Sequence, residues 1–221
     1  MAKKTQIFIR KPFLFIMTHN LVEEAHKQVL GLKLPTDPRW VDLAQISLGD
    51  ILTDHAYCEQ KAAANCMSLI QGYPDYIEMV RALAPIVTEE WGHFRLVLAE
   101  LDKRNLILGK QRRDEYVNAL REFQTKGGDR NLQFIDKLII CALIEARSCE
   151  RFRMLSLNIS EKPLRDFYHK FMVSEAGHYR LFLDLARLYS SEEYANIRWQ
   201  QCLTFEAEII RNLEVRGDRI H

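Results

Sequence analysis

Glu90 and His93 stand three apart in "EEWGHFRLVL", and Glu175 and His178 repeat the spacing in "SEAGHYRLFL". The copies match at Glu, Gly, His, Arg and two Leu, with an aromatic residue after each His. Glu and His at i and i+3 share one face of a helix. Carboxylate oxygen combined with imidazole nitrogen suits iron or manganese better than a thiolate-loving metal. One Glu-x-x-His pair proves little. Two matching copies, 85 positions apart, make chance a poor explanation.

Each copy then needs a further ligand from the helix before it. Glu59 precedes Glu90 by 31 positions, and Glu145 precedes Glu175 by 30. The flanking texts "EQKAAANCMSL" and "EARSCERFRML" share a small residue three after the Glu and a Leu ten after it. Glu150 is the rival to Glu145. It lies five residues on, about 140° around the helix, so the repeat spacing favours Glu145. The candidate metal ligands are therefore Glu59, Glu90, His93, Glu145, Glu175 and His178. Asp54, His55 and Glu150 are candidates to orient those ligands through hydrogen bonds.

These residues need helices to hold them. Leu83, Ile86, Glu90, His93 and Val97 follow the steps of a buried helical stripe, as do Leu164, Tyr168, Phe171, Glu175, His178, Phe182 and Leu185. The acidic groups occupy places where apolar residues belong. Burying an isolated charge costs several kcal/mol or more, so something must offset it, and paired metal ions would. One Glu from each of two helices plus Glu-x-x-His from each of two others is the ligand set of ferritin-like di-iron and di-manganese proteins.

The elements follow from sparse punctuation: only 9 Gly and 6 Pro in 221 residues. The expected long helices run from about Ser47 to Gln71, from Pro74 to Arg104, over 131–158, and from Pro163 to Tyr189. "SLGD" reads as a capping box for the first, and Ser160 as a cap for the fourth. A shorter helix over "RDEYVNALREFQTK" ends at Gly127-Gly128, and a tail helix covers about 192–214. Residues 1–45 read as an irregular arm, with a short helix near "NLVEEAHKQVLGL" and weak strand alternation at "TQIFIR". The expectation is one all-α domain over 1–221: a ferritin-like four-helix bundle (core about 46–190) with additional N- and C-terminal helices.

Composition bounds the function. The chain is 48% hydrophobic and 28% charged, with a net charge of +1, so its total lacks the signature of a strongly nucleic-acid-binding domain. Five cysteines without C-x-x-C argue against a disulfide framework or a zinc knuckle and for reduced thiols in a cytoplasmic protein. Arg10 and Lys11 interrupt "IFIRKPFLFIM", leaving no convincing signal peptide or membrane span. Cys58 and Cys149 read as buried small hydrophobes, Trp91 and Tyr179 as core filling, and Arg95 and Arg180 as surface residues. "KRNLILGKQRRDEY" reads equally as a phosphate-binding patch or a solvated connection.

"LTDHAYCEQKAA", "EEWGHF", "LIEARSCERF" and "SEAGHY" resemble the tRNA 2-methylthio-N6-isopentenyladenosine hydroxylase (MiaE) family, a branch of the ferritin-like superfamily. The likeness covers about 46–190. It implies a non-haem di-iron monooxygenase that hydroxylates the isopentenyl group of a modified adenosine in tRNA, using O2 and two electrons. The resemblance puts two iron ions on the six ligands named above and implies an electron-donating reductase or ferredoxin, with tRNA as partner. Lys103, Arg104, Arg112 and Arg113 are candidates to meet its phosphates. Oligomeric state is left open. The metal ligands alone fit ferritin-like iron storage or detoxification equally well; a di-manganese catalase or another oxidase on the same scaffold, and a metal-free helical interaction protein, are the further readings.

Overall fold

The computed structural model describes residues 30–221. From Lys33 onward the chain forms seven α-helices: α1 (Arg39–Ile46), α2 (Leu48–Gly72), α3 (Ile77–Lys103), α4 (Glu115–Leu120), α5 (Arg130–Asn158), α6 (Lys162–Tyr189) and α7 (Glu192–Asn212). A 3-10 turn, Arg121–Phe123, follows α4. Residues 33–221 make one unit. None of the described helices is long and apolar enough to cross a membrane.

The bundle is two helical hairpins. α2 packs along α3, and α5 packs along α6, while α3 and α6 approach closely at few points. The connection over 104–129 carries the chain from one hairpin to the other, the single long crossover of ferritin-like bundles. Loose approach between the hairpins leaves space that side chains from all four helices fill at mid-length. α7 packs on α5 and α6, and α1 lies against α5 and α2. α5 is therefore covered on several sides, and Phe134, Leu138, Ala142 and Leu143 are all fully buried.

All seven residues of the expected α6 stripe are buried. In α3 the stripe buries Leu83, Glu90 and Val97, with Ile86 and His93 half-buried. Full burial of such an aliphatic side chain contributes about 1.5–3 kcal/mol, which fixes the rotation of each helix and hence the direction of its carboxylates.

Several local expectations are corrected. Ser47 occupies the N-cap position of α2, but its side chain makes no capping bond. It is a joint instead: its N–H bonds Leu43 O and its carbonyl accepts from Asp50 and Ile51, so α1 runs almost directly into α2. Pro74 sits in the turn before α3 rather than in its first turn. Pro85 lies within α3, where it withholds a helical donor. Glu161, not Ser160, is the N-cap of α6. The arm is not irregular throughout, because Arg39–Ile46 is helical. The expected strand at 5–10 and most of the expected short helix at 20–32 lie outside the described residues. Working caps come from Asp114, Asp129 and Ser191, whose side chains accept from backbone N–H groups. Gly127 and Gly128 have φ of 73° and 76°, a region that glycine enters without steric cost.

The C-terminal tail over 213–221 tucks into the bundle. Trp40 Nε1 donates to Arg219 O, Arg151 to Ile220 O, and Ile220 N–H to Asp54 at 2.7 Å. Ile220 is fully buried. A Cβ on Gly217 would fall 2.2 Å from the Leu43 backbone carbon. Gly217→Ala is therefore expected to cost at least the roughly 1–3 kcal/mol of overpacking. Thermal melting checks this, and an unchanged Tm would show that the tail is loosely held.

Candidate di-metal centre

The four bundle helices bring the six carboxylate and imidazole groups together. Atoms from Glu59, Glu90, His93 and Glu175 lie within 4.8 Å of one another, as do atoms from Glu90, Glu145, Glu175 and His178. Glu90 and Glu175 belong to both sets. That overlap separates two central carboxylates from two terminal ones, Glu59 and Glu145, which contribute to one set each.

Both imidazoles turn Nδ1 inward. His93 Nδ1 is 3.2 Å from Glu90 and 3.4 Å from Glu59. His178 Nδ1 is 2.7 Å from Glu90 Oε1 and 3.2 Å from Glu175 Oε2. Glu59, Glu90, Glu145, Glu175 and His178 are buried, and the His93 side chain is 13% exposed. Donors among the described residues do not satisfy this pocket. Glu90 Oε1 and Glu175 Oε1 are buried and find no hydrogen bond among the described residues; the 2.7 Å approach of His178 to Glu90 is close in distance but not aligned for one. Unsatisfied carboxylate oxygens on the two shared residues, facing inward-turned imidazole nitrogens, fit a pair of hard cations held between them.

Protonation follows from this crowding. Burial raises the Glu59 and Glu145 carboxyls well above their usual range. Burial, reinforced by the Glu90 charge, lifts Glu175 to about 7. Glu90 goes the other way: burial would raise it, but contacts with His178, His93 and Glu59 outweigh that and lower it. For the imidazoles burial acts downward, yet Glu59 and Glu90 lift His93 to about 10, and Glu175 and Glu90 lift His178 to about 12.

Metal-free, the pocket thus holds protons that metal must displace. Loading at pH 7 is expected to release protons, and apparent affinity is expected to fall as pH drops. Calorimetric titration in buffers of different ionisation enthalpy reads both. Both histidine values exceed 6.5 in the folded state. Their contribution to the metal-free fold is complete below that pH and is lost as pH rises through 10 and 12. The metal-free protein should therefore melt lower at pH 10 than at pH 7, with less change in the loaded protein.

The surroundings hold one expected neighbour and two that point elsewhere. His55 Nε2 lies 2.8 Å from Glu59 Oε1, out of line for a hydrogen bond. Its ring is boxed by Phe152, Tyr168 and Phe171, and burial lowers its pKa well below the usual value, so it is neutral. Asp54 instead accepts from Ile220 and from Cys58 Sγ. Glu150 accepts from Thr36 and pairs with Arg147. Of the two rival glutamates, the structure brings Glu145 and not Glu150 into the cluster.

Two residues at this site escaped the sequence reading. Glu89 places Oε2 3.5 Å from His178 Nε2 and Oε1 3.9 Å from His93 Nε2, on the outer side of both rings. Ser174 donates to Glu89 at 2.6 Å. Glu89 and Ser174 each precede a repeated Glu by one position, so they are equivalents under the internal repeat and meet across it. The 85-residue offset was the available signal, but unlike residue types hid it. Carboxylates behind metal-bound imidazoles fix ring orientation and are typically worth 10–100-fold in metal affinity. Glu89→Ala is expected to weaken metal binding by about that factor, and Ser174→Ala by less, with metal-free melting unchanged. Equal affinity in Glu89→Ala would remove Glu89 from this role.

Among the basic candidates, Arg104 is held by Glu100 and Glu161. Arg112 bridges Asp50 and Asp218. Lys103 pairs with Glu100 but remains 70% exposed, and Arg113 is exposed. Trp91 departs from the expected core position, being 48% exposed with its ring against Phe94. Tyr179, Cys66, Cys141, Cys149 and Cys202 are buried, and Cys58 is half-buried.

A family model described as tRNA-(MS[2]IO[6]A)-hydroxylase (MiaE) matches residues 22–221. The chain belongs to this family. A member from Pseudomonas putida, the tRNA 2-(methylsulfanyl)-N(6)-isopentenyladenosine(37) hydroxylase, is 34% identical over 161 residues, covering 73% of this chain and 77% of the relative. The hydroxylase of the same name from Salmonella typhimurium is 29% identical over 219 residues, covering 76% and 80%. Among solved structures, a Synechococcus protein with aldehyde deformylating oxygenase activity superposes with a TM-score of 0.81 at 30% identity, covering 86% of this chain and 94% of that one. The bundle is all-α and ferritin-like, as MiaE membership and this likeness together require, and its carboxylate and histidine clusters are compatible with a two-metal centre.

Proposed function

We propose that this protein is a di-iron monooxygenase that hydroxylates the isopentenyl group of 2-methylthio-N6-isopentenyladenosine in tRNA. The observation that carries the reading is the pair of overlapping ligand sets sharing Glu90 and Glu175, within a chain of the MiaE family. Glu59 and His93 would hold one iron, Glu145 and His178 the other, and Glu90 and Glu175 would span both. Two irons held there would supply O2 activation, for a reaction in which one oxygen atom ends in the C–H bond and the other in water, using two electrons and two protons.

The chain's own residues set the conditions for that chemistry. Glu90 and Glu175 would be ligands to both ions, and the repeat would supply one imidazole to each. Neutral His55, boxed in aromatic rings, lies beside Glu59 without adding charge. Phe171 packs against both His55 and His93 and keeps water from that flank. Glu89 faces the outer nitrogens of both imidazoles. Electrons would come from a reductase or ferredoxin, in the cytoplasm where tRNA is modified. The exposed Lys103 and Arg113 are the better placed of the four basic candidates to meet phosphates, because Arg104 and Arg112 are engaged internally.

Nucleoside analysis of tRNA from cells with and without the gene tests the reading. Loss of the hydroxylated adenosine in the deletion strain, and its return on complementation, is the expected result. The same hydroxylated content in both strains, with no second hydroxylase gene present, would overturn it. Sizing and iron loading test the storage alternative, which requires a hollow assembly and far more than two ions per chain.

A further inference from the structure

A cavity of about 230 Å³ lies between α2, α4 and α5. Its inner wall includes Ala62, Cys141, Ile144 and Phe182, and it reaches Glu145, a member of the metal-ligating cluster. The cavity therefore abuts the centre from the α2–α5 side. On the α3–α6 side, Glu89 and Ser174 close over the imidazoles through their mutual hydrogen bond.

The other walls mix apolar Leu69, Val117 and Ile140 with polar side chains, among which cations outnumber the single carboxylate, Asp114. Lys61, Arg121 and Lys137 all line the cavity. Lys61 is paired with Asp114 at 2.5 Å, whereas Lys137 Nζ contacts the hydroxyl and ring face of Tyr73. Arg121 is exposed and has no ion pair among the described residues. Apolar depth ending at a metal ligand, under a cationic rim, fits an uncharged hydrocarbon chain attached to a polyanion. The volume is below the roughly 300–1,000 Å³ of pockets that enclose a drug-sized ligand. It suits a short branched alkenyl group, with the nucleoside left at the mouth.

We propose that this cavity seats the isopentenyl substituent, with Arg121 and Lys137 engaging the flanking phosphates. The proposal rests on the hydroxylase reading and adds the binding site to it. Ala62 and Ile144 set how far the chain enters, and so which carbon comes nearest to Glu145 and the ions.

The test uses the iron-loaded full chain without O2 and two anticodon stem-loop RNAs that differ only in the isopentenyl group. Wild-type protein is expected to bind the isopentenylated RNA at least about tenfold more tightly, the equivalent of burying about two carbons. Ala62→Phe fills the cavity and should bring that ratio close to one, with iron content and melting unchanged. Ser68→Trp obstructs the exposed mouth and should do the same, which covers the case in which Ala62→Phe fails to fold. Arg121→Glu with Lys137→Glu should weaken both RNAs equally, keep the ratio, and flatten the salt dependence.

Retention of the tenfold preference by a folded Ala62→Phe or Ser68→Trp protein would overturn the cavity assignment while leaving the hydroxylase reading intact. Failure of the latter is distinguishable: wild-type protein would then neither prefer the isopentenylated RNA nor hydroxylate it when O2 and reductant are supplied.

Discussion

Alanine at Glu90 or Glu175 is expected to empty both metal positions, whereas alanine at Glu59 or Glu145 empties one. The distinction comes from geometry. Glu90 and Glu175 lie in both clusters, and Glu59 and Glu145 in one each. If the ions sit as proposed, removing a shared carboxylate would take a ligand from both at once, and removing a terminal one would leave the opposite ion with its full set. Metal per chain after anaerobic iron loading reads the result directly, with hydroxylation of tRNA at background in all four variants. The control is stability without metal. Glu145→Ala removes a carboxyl that burial raises well above its usual range, so its metal-free melting should be equal to or higher than wild type, whereas Glu90→Ala takes a partner from two raised imidazoles and should melt lower at pH 7. A Glu90→Ala protein that still holds two ions would show that the two sets do not share their ligands.

The second large effect concerns a cluster far from the metals in role. Arg147 is fully buried and donates to Glu206 through Nε at 2.9 Å and through a terminal nitrogen at 2.5 Å. It also donates to Thr36 Oγ1 and Leu34 O, and it pairs with Glu150. Tyr116 donates to the same Glu206 oxygen. One guanidinium thus ties α5, α7 and the segment before α1 together. Arg147→Met leaves Glu206 buried with no cation, a change that typically costs 3–5 kcal/mol. For a chain of this size the expected fall in Tm is about 6–20 °C. Scanning calorimetry of the metal-free protein measures it without interference from metal loading. Arg147→Met with Glu206→Leu should recover much of the loss, because a paired apolar replacement strands no charge. A single variant that melts like wild type would mean that Glu206 simply takes up a proton.

The candidate ligands were legible because two physical constraints converge on the same residues. A helix seam wants apolar side chains every three or four positions, and Glu90, His93, Glu175 and His178 interrupt that seam twice in the same way. The offset then extended to Glu59 and Glu145 without any three-dimensional information. Glu150 shows where the reading needed its periodicity: five residues from Glu145 turns a side chain toward Thr36 and Arg147 instead. The basic run at 103–113 shows the opposite case. Charge is visible in a sequence, but its partners are not, and Arg104 and Arg112 find theirs on segments distant along the chain, in Glu161 and Asp218.

Local periodicity governs the part readable along the chain: long helices, a carboxylate and an imidazole on each buried stripe, the pairing of two halves, and through family motifs the chemistry those imply. Packing in three dimensions settles which carboxylates belong to both clusters, that Glu89 and Ser174 meet behind the histidines, that Asp54 anchors the C-terminal tail, and that a cavity reaches Glu145. The reason is geometric. Periodicity along one helix states which way a side chain points, whereas sharing, meeting and enclosing depend on the distance between helices that the chain connects through loops and whose spacing is set by packing across the whole core.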